Sequence, residues 1–183
     1  MVLSEKPPSQ IKDADFIFEN ETTKVIAVRN SPQIELAGLT VGPFEEGNEY
    51  DVKFWVSREL EKAGIIRSRD ETLTASRLYK IQWTERIQSV SNLSSLPEDF
   101  YPRLRRLIER LKRSSRSSPE GMREYEYVHK LSKDIVGCRL KKIISLASTP
   151  GQKGQILRNL TTEELELYEK LDKIIAAWRA GII

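Results

Sequence analysis

The apolar positions of this chain change period near residue 52. Before that point they come in short runs rich in Val, Ile and Phe, separated by polar residues: Phe16-Ile17-Phe18, Val25-Ile26-Ala27-Val28 and Ile34–Val41. Such runs predict strands, the third broken by Gly38, with turns at Gly42-Pro43 and Glu46-Gly47-Asn48. Next, Val52, Trp55, Val56 and Leu60 recur at helical spacing, and Gly64 is a natural helix stop. Residues 13–69 are therefore expected to form a small β-rich unit with one helix. Residues 1–12, where Pro7, Pro8 and Ser9 sit among polar neighbours, read as a disordered N-terminus.

The rest of the pattern is helical. Leu78, Ile81, Trp83, Ile87 and Val90 fit a helix over about 72–91. Phe100, Leu104, Leu107, Ile108 and Leu111 make one apolar stripe, with Pro97 or Pro102 at the helix start and Tyr101 a candidate kink ahead of Pro102. Residues 112–121 hold no apolar side chain and read as a flexible loop. Met122, Tyr125, Val128, Leu131, Ile135, Cys138 and Ile143 predict one long helix to about 148, and residues 149–154 a further loop. The last helix has the clearest start. Thr161 and Glu164 form a capping box, with Leu160 and Leu165 as its staple, and Leu165, Tyr168, Leu171, Ile175 and Trp178 as its buried face. The expected fold is mainly α: a C-terminal helical bundle over 72–183, preceded by a small β-rich α+β domain.

With 183 residues, 39% apolar, a core is possible, but two separate cores would each be thin. Charged residues reach 31% while the net charge is only +3, which permits nucleic-acid contact without demanding it. No run approaches the roughly 18 apolar residues of a spanning helix. The first residues lack the pattern of a signal peptide, so a cytoplasmic protein without membrane contact is expected.

The residues offer little chemistry. One histidine and one cysteine cannot supply the four ligands of a structural zinc site. His129 is read as a surface or satisfied core residue rather than a pH switch, and Cys138 as a buried residue rather than a reactive thiol. The carboxylates follow helix surfaces and first turns, where they meet the helix dipole favourably. Gly151-Gln152-Lys153-Gly154 has the wrong order and context for a phosphate-binding loop. No catalytic residue, metal or cofactor is expected.

Two groups of side chains stand out. Arg103, Arg105, Arg106, Arg110, Lys112, Arg113 and Arg116 crowd one stretch, opposed only by Glu109. They form either a solvated face that pairs with acids elsewhere, such as those of the last helix, or a contact for phosphates or an acidic partner. The aromatic residues Trp55, Trp83, Phe100, Tyr101, Tyr125, Tyr168 and Trp178 lie on apolar stripes and are candidates for a subunit interface. The apolar stretch Ala180-Gly181-Ile182-Ile183 is likewise expected to dock on another surface.

Three segments carry a family resemblance. GPFEEGNEYDVKFWVSRELEKAGII (42–66) resembles a small domain in which a Gly-Pro-Phe and acidic-Gly turn precedes a helix opening on an apolar-Trp-apolar step. LPEDFYPRLRRLIERL (96–111) is similar to a helix with an Asp-Phe-Tyr start. In CRLKKIISLAS…NLTTEELELYEKL (138–171), an Arg-x-x-Lys-Ile segment is followed by a Leu-Thr-x-Glu-Glu…Tyr helix. The family is GINS, the four-subunit assembly of the archaeal and eukaryotic replicative helicase. The small domain first looks like the archaeal subunit related to the second and third eukaryotic partner subunits. The Asp99-Phe100-Tyr101 element is more typical of the opposite domain order.

The resemblance implies a non-catalytic subunit that pairs with its paralogue into a two-plus-two heterotetramer. It also implies that the tetramer binds the MCM helicase and a RecJ-like protein and promotes DNA unwinding, with primase or DNA polymerase as further contacts. An alternative reading is a winged-helix DNA-binding transcriptional regulator, with VSRELEKAGIIRSRDETL as recognition helix and wing. That reading needs an earlier helix feeding the recognition helix, where the pattern shows β-type residues.

Overall fold

The computed structural model describes residues 9–69, 73–89, 92–149, 151 and 154–182. It divides into two compact units, Met1–Thr72 and Leu73–Ile183.

The first unit opens on helix α1 (Ser9–Asn20), followed by β1 (Thr22–Ala27), β2 (Ile34–Leu36), β3 (Leu39–Val41), β4 (Glu49–Lys53), α2 (Phe54–Lys62) and β5 (Ile66–Ser68). β1 is the central strand, antiparallel to β4 on one side and β5 on the other, while β2 and β3 form a separate hairpin. Its inward positions Thr23, Val25 and Ala27 alternate with exposed or half-buried ones, the period of a strand with one covered face. Val25, Phe44, Val52, Val56, Leu60, Ile65 and Ile66 close the core. Gly38 and Gly64 both take positive φ, which lets the β2–β3 hairpin turn and α2 stop.

Three expectations for this unit are corrected. Phe16-Ile17-Phe18 is not a strand; it lies in α1, where Phe18 is buried and its ring centroid sits 4.4 Å from that of Phe54 at the start of α2. α1 also takes in residues 9–12 of the stretch expected to be disordered, and residues 1–8 lie outside the described residues. Val52 belongs to β4 rather than to the helix. Strand β4 runs directly into α2, with Lys53 as N-cap. A helix-turn-helix needs a helix at that place, so the winged-helix reading has no structural footing.

The second unit is helical: α3 (Ala75–Ile87), α4 (Phe100–Ser114), α5 (Pro119–Ser148), the single turn α6 (Gly154–Leu157) and α7 (Thr162–Ile182). α5 is the spine, packing on α3, α4 and α7. Leu78, Phe100, Leu104, Leu107, Leu111, Val128, Leu131 and Ile135 form its main core. A second cluster joins Ile143 and Ala147 of α5 to Tyr168 of α7. Each fully buried side chain of this size stabilises the fold by about 1.5–3 kcal/mol relative to an exposed one.

Several boundaries differ from expectation. Tyr101 is no kink: Asp99 occupies the N-cap position of α4 without a side-chain cap hydrogen bond, and Pro102 sits in the first turn, where a missing N–H costs no helical hydrogen bond. The expected flexible loop 112–121 shrinks to residues 115–118, because α4 continues to Ser114 and Pro119 opens α5. Ser118 caps α5 through its hydroxyl, which accepts from Gly121 N–H at 3.0 Å. Val90, expected in α3, lies outside the described residues, as do Gln152 and Lys153.

A candidate partner interface and the ion network beneath it

Two apolar stripes of the helical unit face solvent. On α3, Leu78, Gln82 and Glu85 point inward, and Tyr79, Trp83 and Ile87, spaced by four, lie on the outer side. Trp83 is 57% exposed and Ile87 64%. α5 repeats the arrangement with Val136, Leu140 and Ile144 outside and Ile135, Arg139 and Ile143 inside. Spacing of four residues stacks each trio along one side of its helix.

α7 contributes differently. Tyr168, Leu171, Ile175, Trp178 and Ile182 follow the alternating three–four spacing of one continuous seam. Tyr168 is buried, Leu171 and Ile175 are half-buried, and Trp178 and Ile182 are exposed at 66% and 67%. The reason is the length of α5. Arg139 meets Glu164 and Ser148 meets Arg179, so the two helices run in the same direction. α5 ends at Ser148, and the seam of α7 continues past it. The expected buried face of α7 is thus corrected at its ends: Trp178 and Leu165 are exposed.

The other candidate aromatics are placed elsewhere. Phe100 is enclosed in the main core, and Tyr168 in the second cluster. Tyr101 is half-buried, with its hydroxyl turned to Glu164. Tyr125 is half-buried and stacks on His129 with ring centroids 5.4 Å apart. Trp55 packs at the edge of the first unit's core. Cys138, expected to be buried, is half-buried.

The outward stripes stand on a frame set by ions, a feature the periodicity did not announce. Arg139 is fully buried, and its five N–H donors all have acceptors. Nη1 reaches Glu85 Oε1 at 2.7 Å and the Ser94 carbonyl at 3.0 Å. Nε and Nη2 take both oxygens of Glu164, and Nη2 also donates to the Asn159 carbonyl at 3.2 Å. Lys142 Nζ donates to Glu85 Oε2 at 2.7 Å, and Ser94 Oγ donates to Glu85 Oε1. Tyr101 donates to Glu164 Oε1 at 2.5 Å. Two cations and two carboxylates are balanced, so burial leaves no uncompensated charge.

The ionisation behaviour follows from this arrangement. Burial alone would raise the Glu85 carboxyl. Hydrogen bonds from Lys142 and Ser94, with the charges of Arg139 and Lys142, outweigh it and hold Glu85 below its ordinary range. Burial, then the charge and hydrogen bond of Glu164, push the Tyr101 hydroxyl up. Burial works against the Arg139 cation, but Glu164 and then Glu85 more than compensate and raise it.

The sequence carried two signals for this network. Arg139 and Lys142 are the Arg and Lys of the Arg-x-x-Lys-Ile segment, and Glu164 belongs to the capping box. Glu85 had none. The capping box itself is present: Thr161 N–H donates to Glu164 Oε2 at 3.1 Å, and Glu164 N–H to Thr161 Oγ1 at 3.4 Å.

The basic stretch divides in two. Arg103 pairs with Asp99, Arg105 with Glu163 of α7 at 3.5 Å, and Arg106 with Glu109 at 3.6 Å. Arg110, Lys112, Arg113 and Arg116 are exposed at the C-terminal end of α4 and in the turn after it. Among the described residues no group of His, Cys, Asp and Glu could hold a metal ion, and no helix is long and apolar enough to cross a membrane.

A helical bundle whose charged interior is closed and whose apolar stripes face outward defines a protein of the helical-bundle subunit class. Residues 72–183 match the family model of the GINS complex protein helical bundle domain, more than half of the chain. The chain belongs to that family and is a subunit of the GINS complex, which acts in DNA replication. No curated protein matches the chain significantly.

Proposed function

We propose that this chain is a non-catalytic assembly subunit that pairs with a second, paralogous GINS subunit through the outward faces of α3, α5 and α7, in a two-plus-two heterotetramer. Its role in that assembly is to hold the MCM helicase and a RecJ-like protein together and so promote DNA unwinding, with primase or DNA polymerase as further contacts. The family match supports the complex, and one observation supports the mode of pairing. The seam of α7 runs on past α5 and leaves Trp178 and Ile182 uncovered. Trp is among the residues most enriched at energetically dominant interface positions. A stable obligate interface buries roughly 2,000 Å² or more and has a core-like composition. Three stripes on three long helices suit that requirement.

The test is affinity capture of the tagged chain from extract of its native cells, with the co-purifying proteins identified by mass spectrometry. Recovery of a second GINS subunit together with the helicase is the expected result. Recovery of the chain without either contradicts the proposal.

A further inference from the structure

We propose that the corner between α4 and α5 is a binding site for the phosphate backbone of duplex nucleic acid, formed by Arg110, Lys112, Arg113 and Arg116. The seven cations of this stretch look alike in the sequence, and the structure separates them. Arg103, Arg105 and Arg106 are committed to Asp99, Glu163 and Glu109. The remaining four make no ion pair among the described residues, and all four are exposed.

The corner is a fixed frame rather than a loose loop. Ser115 N–H donates to the Leu111 carbonyl at 2.8 Å, Arg116 N–H to Arg113 at 3.3 Å and Ser117 N–H to Ser114 at 3.0 Å, so helical hydrogen bonding runs on into the turn. Ser118 then caps α5 at once. The backbone that carries the four cations is therefore ordered before any ligand arrives, which lowers the ordering cost of binding.

The choice of ligand follows from what the corner lacks. From Arg110 to Gly121 no exposed side chain is large and apolar, whereas an interface with a protein is anchored by buried aromatic or aliphatic groups. It also carries no aromatic ring on which an unpaired base could stack, which argues against single strands. Arginine forks and serine hydroxyls are what phosphate contacts use, and such contacts position a duplex without reading its sequence. Ser117 is exposed beside them.

The experiment measures binding of the full chain, alone and in its assembled complex, to a short labelled duplex of arbitrary sequence as salt is raised. Four phosphate contacts give a log–log slope of about −3 to −4, or about a hundredfold loss of affinity between about 50 and 200 mM salt. The variant R110Q/K112Q/R113Q/R116Q is expected to lose most of that slope. The control K130Q/K133Q/K141Q/K173Q, which removes the same charge from exposed lysines of α5 and α7, is expected to keep it. Matching thermal melts show that both are folded. Equal losses in the two variants would mean diffuse charge and overturn the site. So would tighter binding of single strands, displacement of the duplex by poly-glutamate as effective as by a phosphate polymer of equal charge, or no duplex binding at low salt.

Discussion

Arg139 and Glu164 meet fork to fork: guanidinium Nη2 lies 2.6 Å from Oε2 while Nε donates to Oε1. The same Glu164 closes the capping box of α7 on Thr161 and accepts from Tyr101 of α4. One carboxylate thus fixes where α7 starts and where it lies against α4 and α5. The orientation of the outward seam of α7 depends on it.

Removing one member of this pair leaves the other buried and uncompensated. Arg139→Ala is expected to cost about 3–5 kcal/mol. Arg139→Lys should also destabilise, because an ammonium cannot replace five donors in a planar fork. Chemical denaturation followed by circular dichroism measures both. A loss below about 1 kcal/mol for Arg139→Ala would show that the network does not carry the fold.

The network also sets a pH dependence. Glu85 titrates below its ordinary range in the fold, so its stabilisation is fully present above the unfolded carboxylate value, about 4.3. It is lost as pH falls through the lower folded value. Glu85→Gln should flatten the acid limb of the stability profile while lowering stability at neutral pH. At the other end, Tyr101 titrates higher in the fold than unfolded, so its contribution is intact below the unfolded value of about 10 and declines as pH rises beyond it. Thermal melts across pH check both limbs, and Tyr101→Phe should remove the alkaline decline.

Gly121 marks the closest approach at the α4–α5 corner. A Cβ there would fall 2.8 Å from the Ser114 carbonyl oxygen, a backbone atom that can yield only by moving the turn. Gly121→Ala is expected to destabilise by about 1–3 kcal/mol despite the better helix propensity of alanine. Gly137→Ala in the same helix meets nothing within 4 Å and should be neutral or stabilising. Parallel melts of the two variants decide the matter.

How much of this was legible beforehand depends on the range of the interaction. The capping box and the apolar stripe of α4 depend on residues within a few positions of each other, and both stand as read. Phe16-Ile17-Phe18 was not legible, because three adjacent apolar residues fit neither period. Packing of Phe18 on Phe54, far along the chain, accompanies the helix. β4 has a single buried residue, Val52, and owes its existence to pairing with β1. For α7 the periodicity was right but the burial was not, because sequence spacing gives the direction of a face and not where its covering helix ends. The Glu85–Arg139 contact joins α3 to α5 across 54 residues of sequence, and no local pattern points to it.

The outward stripes, by contrast, should be almost without effect on the isolated fold. Trp83→Glu and Trp178→Glu replace exposed side chains and are expected to change stability by no more than about 0.5 kcal/mol. The same changes place a charge in the surface assigned to the partner subunit.

The most direct measurement is the mass, by light scattering, of the chain co-expressed with the paralogous GINS subunit proposed as its partner, compared with Trp83→Glu/Trp178→Glu. The wild-type pair should elute as a single species with the mass of two copies of each chain, and the double variant should separate into its components while keeping its own melting temperature. A double variant that still assembles to the same mass would contradict the assignment of these stripes to the subunit interface.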